Sequence, residues 1–335
     1  MPRVKMSDVA RRAGVSVATV SKVVNGRYGV SKETSDLVKG VIDEMGYVGN
    51  LSASSLRSQR THVLGILVAS FEPYSAELIK GCGVVTRGTP YELLAHAGGE
   101  VEGWERRALA RMGGTLIDGA VVVTPTVLDP EQVVPVVAVD PHYGPNFVPT
   151  VDADSLGGAV RATEHLLSLG HRRIAFMGGR GELDSSRERE RGFRIAMAEA
   201  GVTVDETLVV ESRYDPDIAT ARAHQLLTRD DAPTALFCAN DVTAMCAMAV
   251  AQELGLSVPG DVSVVGFDDI PEASLVTPQL TTVRQPLGDM GREAMTMLMD
   301  ILAGRERSSH VRMPTELVVR GSTGPAPTRE ASPGE

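Results

Sequence analysis

The sequence predicts two joined fold classes: a small all-α helix-turn-helix head, and an α/β body made of two doubly wound lobes. Three observations predict this. Short amphipathic helical stretches near the N-terminus are punctuated by Gly14, Gly26 and Gly46. From residue 61 onward, apolar β-rich runs alternate with helical patterns in two successive series, the mark of parallel sheets covered on both faces. Charge is also divided. Residues 1–60 hold ten Lys/Arg against five Asp/Glu, and the remainder holds 23 against 38. A basic head on an acidic body is the electrostatic footprint of a tethered nucleic-acid-binding module, although the net charge of the whole chain is −10.

In the head, Ser7 is the expected N-cap of a first helix, with Asp8 suited to its positive end. Val9, Ala10 and Ala13 form its apolar stripe, and Gly14 supplies the left-handed residue that ends it. Ser16 caps a second helix almost at once, with Val15 and Val20 spaced as a hydrophobic staple. Val20, Val23 and Val24 are expected core, and Gly26 the stop. A third helix fits Lys32 to Met45, capped by Ser31 and ended by Gly46, with Leu37, Val38, Val41, Ile42 and Met45 on its buried face. Two short helices joined by a tight glycine-containing turn are a DNA-reading motif.

The stretch MSDVARRAGVSVATVSKVVN, residues 6–25, closely resembles the head of the lactose/galactose repressor (LacI/GalR) family. The resemblance implies that Val17 to Asn25 form the recognition helix. Val17 and Ala18 then face base edges and suit thymine methyl groups. Ser21 and Lys22 lie one turn on, and Lys22 can reach guanine or a phosphate. Thr19, Asn25, Ser7 and Ser31 can bind phosphate oxygens, with Ser16 opening the helix itself. Residues 49–60 match the family's hinge, a helix too short to be stable alone in water. Leu56 occupies the position of the leucine that wedges into the minor groove. Gly49 stands where many members have proline, which implies a looser hinge.

The body extends over residues 61–321. Its strand candidates are Val63–Val68, Tyr91–Ala95, Gly119–Val123 and Val136–Val139, then Arg173–Met177, Thr207–Val210, Ala235–Cys238 and Val262–Gly266. Helices are expected between them, notably over Ser75–Arg87, Ser155–Leu169, Ser185–Ala200, Val242–Leu254 and Pro286–Ala303. In open α/β sheets, ligands bind beyond the carboxyl ends of the strands, so a cleft between two lobes is the expected site.

The phrases HLLSLGHRRIAFMGG, RERGF, PTALFCANDVTAMCAM and VPGDVSVVGFDD are similar to the same family's periplasmic-binding-protein-like core. Position by position, the resemblance implies ligand contacts from Asp268, Arg189, Asn240 and Asp241, with Ser185, Tyr74, Ser75, Tyr214 and Asp140 beside them. Carboxylate, guanidinium and amide groups together can satisfy a ring of vicinal hydroxyls. Tyr74, Phe71 or Tyr214 can cover the apolar face of a sugar. Other roles are open to these residues. Asn240, Asp241 and Asp268 suit caps of loops or helices, and Arg189 belongs to a charge run, 187–191, that a solvated helix face also explains. The purine-binding member carries an arginine where this chain has Leu183, which weakens the case for a base-like effector.

The resemblance therefore implies a cytoplasmic, homodimeric transcriptional repressor that binds double-stranded operator DNA and answers to a small effector, a carbohydrate, without a cofactor or metal. An activator of the same architecture and a solute-binding protein are the alternatives. Catalysis has little support. GGRG at 178–181 lacks the spacing of a phosphate-binding loop, and the adjacent Asp268 and Asp269 are expected to point apart. No apolar run approaches the roughly 18 residues needed to span a bilayer, and the N-terminus lacks the apolar region of a secretory signal. Cys82, Cys238 and Cys246 form no CxxC pair and read as reduced thiols. Residues 322–335, rich in Pro, Gly, Ser and Thr, are expected to be a disordered tail.

Overall fold

Local sequence sets the head's helices, and in one case by a different group from the one expected. The computed structural model describes residues 4–24, 28–47, 60–99, 101–128, 132–142, 148–306 and 308–327. The chain divides into two units, Met1–Thr61 and His62–Glu335. In the first, α1 (Met6–Ala13), α2 (Val17–Val24) and α3 (Lys32–Met45) enclose Val9, Ala10, Ala13, Val20, Val23, Val38, Val41 and Tyr47. The cap of α1 is Lys5 and not Ser7: the Asp8 carboxylate accepts from the Lys5 backbone N–H at 2.9 Å. A charged acceptor outcompetes a hydroxyl there, so Ser7 sits exposed inside the first turn. Gly14, at φ 68°, ends α1 as expected.

Two residues expected in this small core lie outside it, Val24 at 40% and Leu37 at 53% exposure. Val24 falls at the last position of α2, and Leu37 stands one residue off the stripe formed by Val38, Val41, Ile42 and Met45. Arg12 and Glu44, 2.7 Å apart, tie α1 to α3.

The body's first sheet contains β1 (Val63–Val68), β2 (Glu92–Ala97), β3 (Gly119–Val123), β4 (Val136–Val139), β5 (Thr150–Ala153) and, much later in the chain, β11 (His310–Met313). Its order is β11-β5-β4-β3-β1-β2, and every pairing is parallel. The second sheet contains β6 (Ile174–Gly178), β7 (Val209–Glu211), β8 (Ala235–Cys238), β9 (Ser263–Asp268), β10 (Thr281–Arg284) and β12 (Glu316–Val318). Its order is β12-β10-β9-β8-β6-β7, parallel except for the antiparallel β12.

Helices cover both faces of each sheet, as parallel sheets require. α4 (Pro73–Thr86) and α10 (Leu287–Leu302) pack on one face of the first sheet, and α5 (Trp104–Met112) on the other. α6 (Ser155–Ser168) and α7 (Asp184–Glu199) flank the second sheet opposite α8 (Pro216–Leu227) and α9 (Asp241–Glu253). α4 and α10 approach backbone to backbone. A Cβ on Gly81 would lie 2.1 Å from the Gly288 carbonyl oxygen, so only glycine fits.

The chain crosses between sheets three times: from β5 to α6, from β10 to α10, and from β11 to β12. These crossings give the body two lobes with a seam between them. Among the described residues, no helix is long and apolar enough to cross a membrane.

The tail departs from expectation at its start. Ser322 is fully buried; its hydroxyl donates to the Val264 carbonyl at 2.6 Å and accepts from Thr281 N–H at 2.8 Å. Gly324 N–H reaches Ser263 Oγ at 3.0 Å, and Ala326 N–H reaches the Leu169 carbonyl at 2.9 Å. Polar pairing, which leaves no apolar pattern in the sequence, fixes residues 322–327 on the second lobe. Residues 328–335 lie outside the described residues.

Candidate functional site

A cavity of about 380 Å³ opens at the seam of the body, beyond the carboxyl ends of both sheets. This is where open α/β sheets place ligands, and the volume suits a small molecule. The first lobe supplies Ser70 after β1, Tyr74 and Ser75 from the start of α4, Thr124 after β3 and Asp140 after β4. The second supplies Arg180 after β6, Ser185 and Arg189 from α7, Tyr214 after β7, Asn240 after β8 and Asp268 at the end of β9. A shallower depression of about 420 Å³ beside Val133, Val136 and Ile301 has no charged side chain in its lining among the described residues.

Polar groups from the two lobes converge in this cavity. From the first lobe, Tyr74 donates its hydroxyl to Asp140 Oδ2 at 2.8 Å. From the second, Arg189 Nη1 lies 3.6 Å from Asp268 Oδ1, with the guanidinium stacked 3.9 Å over the Phe267 ring. Arg189 also donates to the Ala239 carbonyl at 2.5 Å and towards Ser155 Oγ at 3.4 Å. It is therefore a buried, anchored side chain and not a member of a solvated face. Gln285, in the crossing after β10, donates its amide to Asp268 Oδ1 at 2.6 Å.

Burial dominates the electrostatics. Desolvation pushes the Asp268 carboxyl up to about 7, against the pull of Arg189 and the Gln285 amide. Burial also raises Asp140, against Arg189 and Tyr74. Tyr74 is raised well above the ordinary phenol value by burial and by Asp140. Each carboxylate has one protein donor, Tyr74 for Asp140 and Gln285 for Asp268, and hydroxyls of a bound molecule can donate to the lone pairs that remain.

The backbone is unusual here as well. Thr124 (φ 45°), Asp140 (φ 47°), Tyr214 (φ 61°) and Asp268 (φ 114°) all take positive φ without being glycine. Each such residue costs about 1–3 kcal/mol, and such strain gathers at ligand-binding sites.

Of the nine residues expected to hold a ligand, eight line this cavity: Tyr74, Ser75, Asp140, Ser185, Arg189, Tyr214, Asn240 and Asp268. Asn240 also caps α9, its side-chain oxygen accepting from Thr243 N–H at 2.9 Å. That leaves its amide nitrogen to offer a ligand. Asp241 is placed elsewhere. It is fully buried behind the cavity, accepting from Ile270 N–H at 2.9 Å and Thr282 Oγ1 at 2.5 Å. Both oxygens are engaged in joining α9 to the segments after β9 and in β10, so its role is structural. Phe71, 61% exposed, does not line the cavity. Asp269 turns away to Arg284 (2.7 Å) and Arg320 (2.5 Å), so Asp268 and Asp269 do not form an acid–base pair. Thr124, Arg180 and Gln285 were not expected. Gln285 follows the unforeseen strand β10, and Arg180 sits in the GGRG segment read only as a failed phosphate loop.

In the head, α2 presents Val17 at 47% exposure, with Ala18 and Lys22 also exposed and Thr19 and Ser21 half-buried. Ser16 Oγ accepts from Thr19 N–H at 3.0 Å and lies 2.9 Å from Thr19 Oγ1. Ser31 caps α3, accepting from Thr34 N–H at 3.2 Å. Ser7 is exposed in the opening turn of α1. Asn25, Gly26 and the hinge residue Leu56 lie outside the described residues.

Comparison with known proteins adds to this geometry. The family model described as bacterial regulatory proteins, lacI family, matches residues 5–50, and that of a periplasmic binding protein-like domain matches 163–323. The HTH-type transcriptional repressor PurR of Pectobacterium atrosepticum is 33% identical over 335 residues, covering 97% of this chain and 98% of that protein. A transcriptional regulator CelR–cellobiose complex is 33% identical with a TM-score of 0.72, covering 96% of this chain and 100% of that one. The lac repressor dimer bound to operator and the anti-inducer ONPF superposes with a TM-score of 0.83 at 25% identity, covering 96% and 100%.

Proposed function

The chain belongs to the lacI family of bacterial regulatory proteins, and from that membership we propose that it is a homodimeric transcriptional repressor with a carbohydrate effector. The head binds operator DNA, and the effector sits in the cleft between the two lobes of the body. The observation that carries the effector reading is the cleft's polar set. Asp140 with Tyr74 faces it from one lobe, and Asp268 with Arg189 from the other. Carboxylates accept from vicinal hydroxyls, the guanidinium donates to ring or hydroxyl oxygens, and the tyrosine rings cover C–H faces. The cellobiose complex of the similar CelR supports a sugar. A base-like effector, as in the family's purine-binding member, is the other reading, but the Leu183 side chain, buried in the lining, offers a base no hydrogen bond.

A ligand that touches both lobes favours one angle between them. It can then bias DNA binding by as much as its preference for that arrangement, typically about 1–3 kcal/mol.

Binding of the head to DNA is tested by fluorescence anisotropy across a salt series. The logarithm of affinity should fall with the logarithm of salt at a slope of about −0.9 per neutralised phosphate. Lys22→Ala should weaken binding and flatten the slope by about one. A salt-independent affinity contradicts the DNA reading.

The Asp268 pKa gives a pH test of the cleft. Hydroxyls donate best to the ionised carboxylate, and a proton competes with the ligand. Sugar affinity should therefore rise as the pH passes upward through about 7 and fall on the acid side. Asp268→Asn should flatten that profile in calorimetric titrations. An unchanged profile removes Asp268 from the contact.

A further inference from the structure

Arg180 is the one arginine lining the cleft that the described protein leaves without a counter-charge. Arg189 lies beside Asp268, and Arg213 lies 3.4 Å from Glu182 and 3.5 Å from Glu211. Just outside the lining, Arg187 is 3.0 Å from Asp184. Arg180 has no ion pair among the described residues, and its Nε is buried with no hydrogen-bond partner. A buried donor on a charged group left unpaired is costly, so such a group is usually waiting for a partner.

Its surroundings suit an anion. The Leu183 N–H closes a turn onto the Arg180 carbonyl at 3.0 Å, and α7 begins directly after it. Leu183 and Ser185 line the same cavity, and among the described residues no side chain caps the start of this 16-residue helix. Its opening turn therefore adds a positive field and Ser185 a hydroxyl on the side where Arg180 stands. His142 adds no competing charge at neutral pH, because burial and then Arg180 lower it to about 4. Three carboxylates of the lining are otherwise engaged: Asp140 with Tyr74, Asp268 with Gln285, and Asp215 with the amides of Asp217 and Ile218.

We propose that Arg180 reads an anionic group on the effector, so that the ligand is a sugar carrying a phosphate or a carboxylate and not a neutral sugar. The proposal rests on the carbohydrate reading of the cleft and narrows it. The hydroxylated ring lies against Asp268, Arg189 and Asp140, while the anion pairs with the Arg180 guanidinium, which can grip two oxygens at once.

The test is calorimetric titration of the full-length protein with matched sets: an aldohexose, its 1- and 6-phosphates and its uronic acid, across several hexoses. Inorganic phosphate is titrated alone. A phosphate or uronate should bind about tenfold or more tightly than its neutral parent. The phosphate and uronate arms tell the two anions apart. In Arg180→Gln that ratio should fall to near one, and Arg180→Lys, which keeps the charge, should retain part of it. Neutral sugars binding as tightly as their anionic partners, or a preference that survives Arg180→Gln, overturns the proposal and leaves the carbohydrate reading intact. If no sugar binds, the carbohydrate reading fails, and phosphate alone decides about the anion site. Phosphate binding that Arg180→Gln abolishes supports it, and phosphate binding that is absent or indifferent to the substitution overturns it.

Discussion

Asp268→Ala is expected to abolish effector binding, with affinity falling about 100-fold or more, while operator affinity stays unchanged. The carboxylate is buried at the end of β9 and lies 3.6 Å from Arg189. Two charge-assisted bonds to vicinal hydroxyls contribute about 1.5–3 kcal/mol each. The result is a repressor deaf to its signal. Arg189→Ala should behave similarly, since it removes the opposite pole of the same site. The measurement is calorimetry for the effector and anisotropy for the operator on a single preparation. If Asp268→Ala still responds normally, the ligand binds elsewhere. If operator binding disappears as well, Asp268 is a structural residue.

Asp241→Ala should show the reverse pattern, a loss of stability. Asp241 is fully buried and receives Ile270 N–H and Thr282 Oγ1–H. Removing the acceptor strands two buried donors at about 1–3 kcal/mol each, so unfolding should become easier by about 2–5 kcal/mol. Asp241→Asn keeps one acceptor and should lose less. Denaturant unfolding of the isolated variant checks this directly. A fully stable Asp241→Ala that fails to bind sugar would return Asp241 to the list of ligand contacts. The contrast between Asp268 and Asp241 matters because sequence similarity alone gives both residues the same role.

Much of this architecture was legible in the sequence, for identifiable reasons. Runs such as VLGILV at 63–68 and GAVVV at 119–123 are buried on both faces and so read as unbroken apolar strands. Long helices reveal themselves by period and by caps, as at Ser31, Asp154 and Asn240. The strands that escaped notice are short. TVDA, TTVR, HVRM and ELV span three or four residues and mix charge with apolar side chains. Such segments are too brief for a period to register, and β11 and β12 lie at sheet edges, where burial demands less.

Because β10 was unseen, the crossing after it was unseen, and with it Gln285, the partner of Asp268. Expectation set the body's end at 321 because hydroxyl and backbone pairing, which holds residues 322–327, carries no hydropathy signature. Eight side chains carried over from the family resemblance line the cleft, some after strand ends, as Asp140 and Asn240, and some from helices, as Tyr74 and Arg189. Which of two neighbours points inward, Asn240 or Asp241, depends on helix-cap geometry that sequence does not display.

Occupancy of the cleft is expected to alter the protein's grip on DNA. This coupling is tested most directly by selecting duplexes from a random pool with the purified full-length protein, then titrating the selected duplex by anisotropy with and without a saturating sugar or sugar phosphate that binds in calorimetry. The expected result is a pseudo-palindromic sequence bound by a dimer, with an operator Kd that the effector shifts by about 5–150-fold. A pool that yields no sequence preference, or an operator Kd unmoved by an effector shown to occupy the cleft, contradicts it.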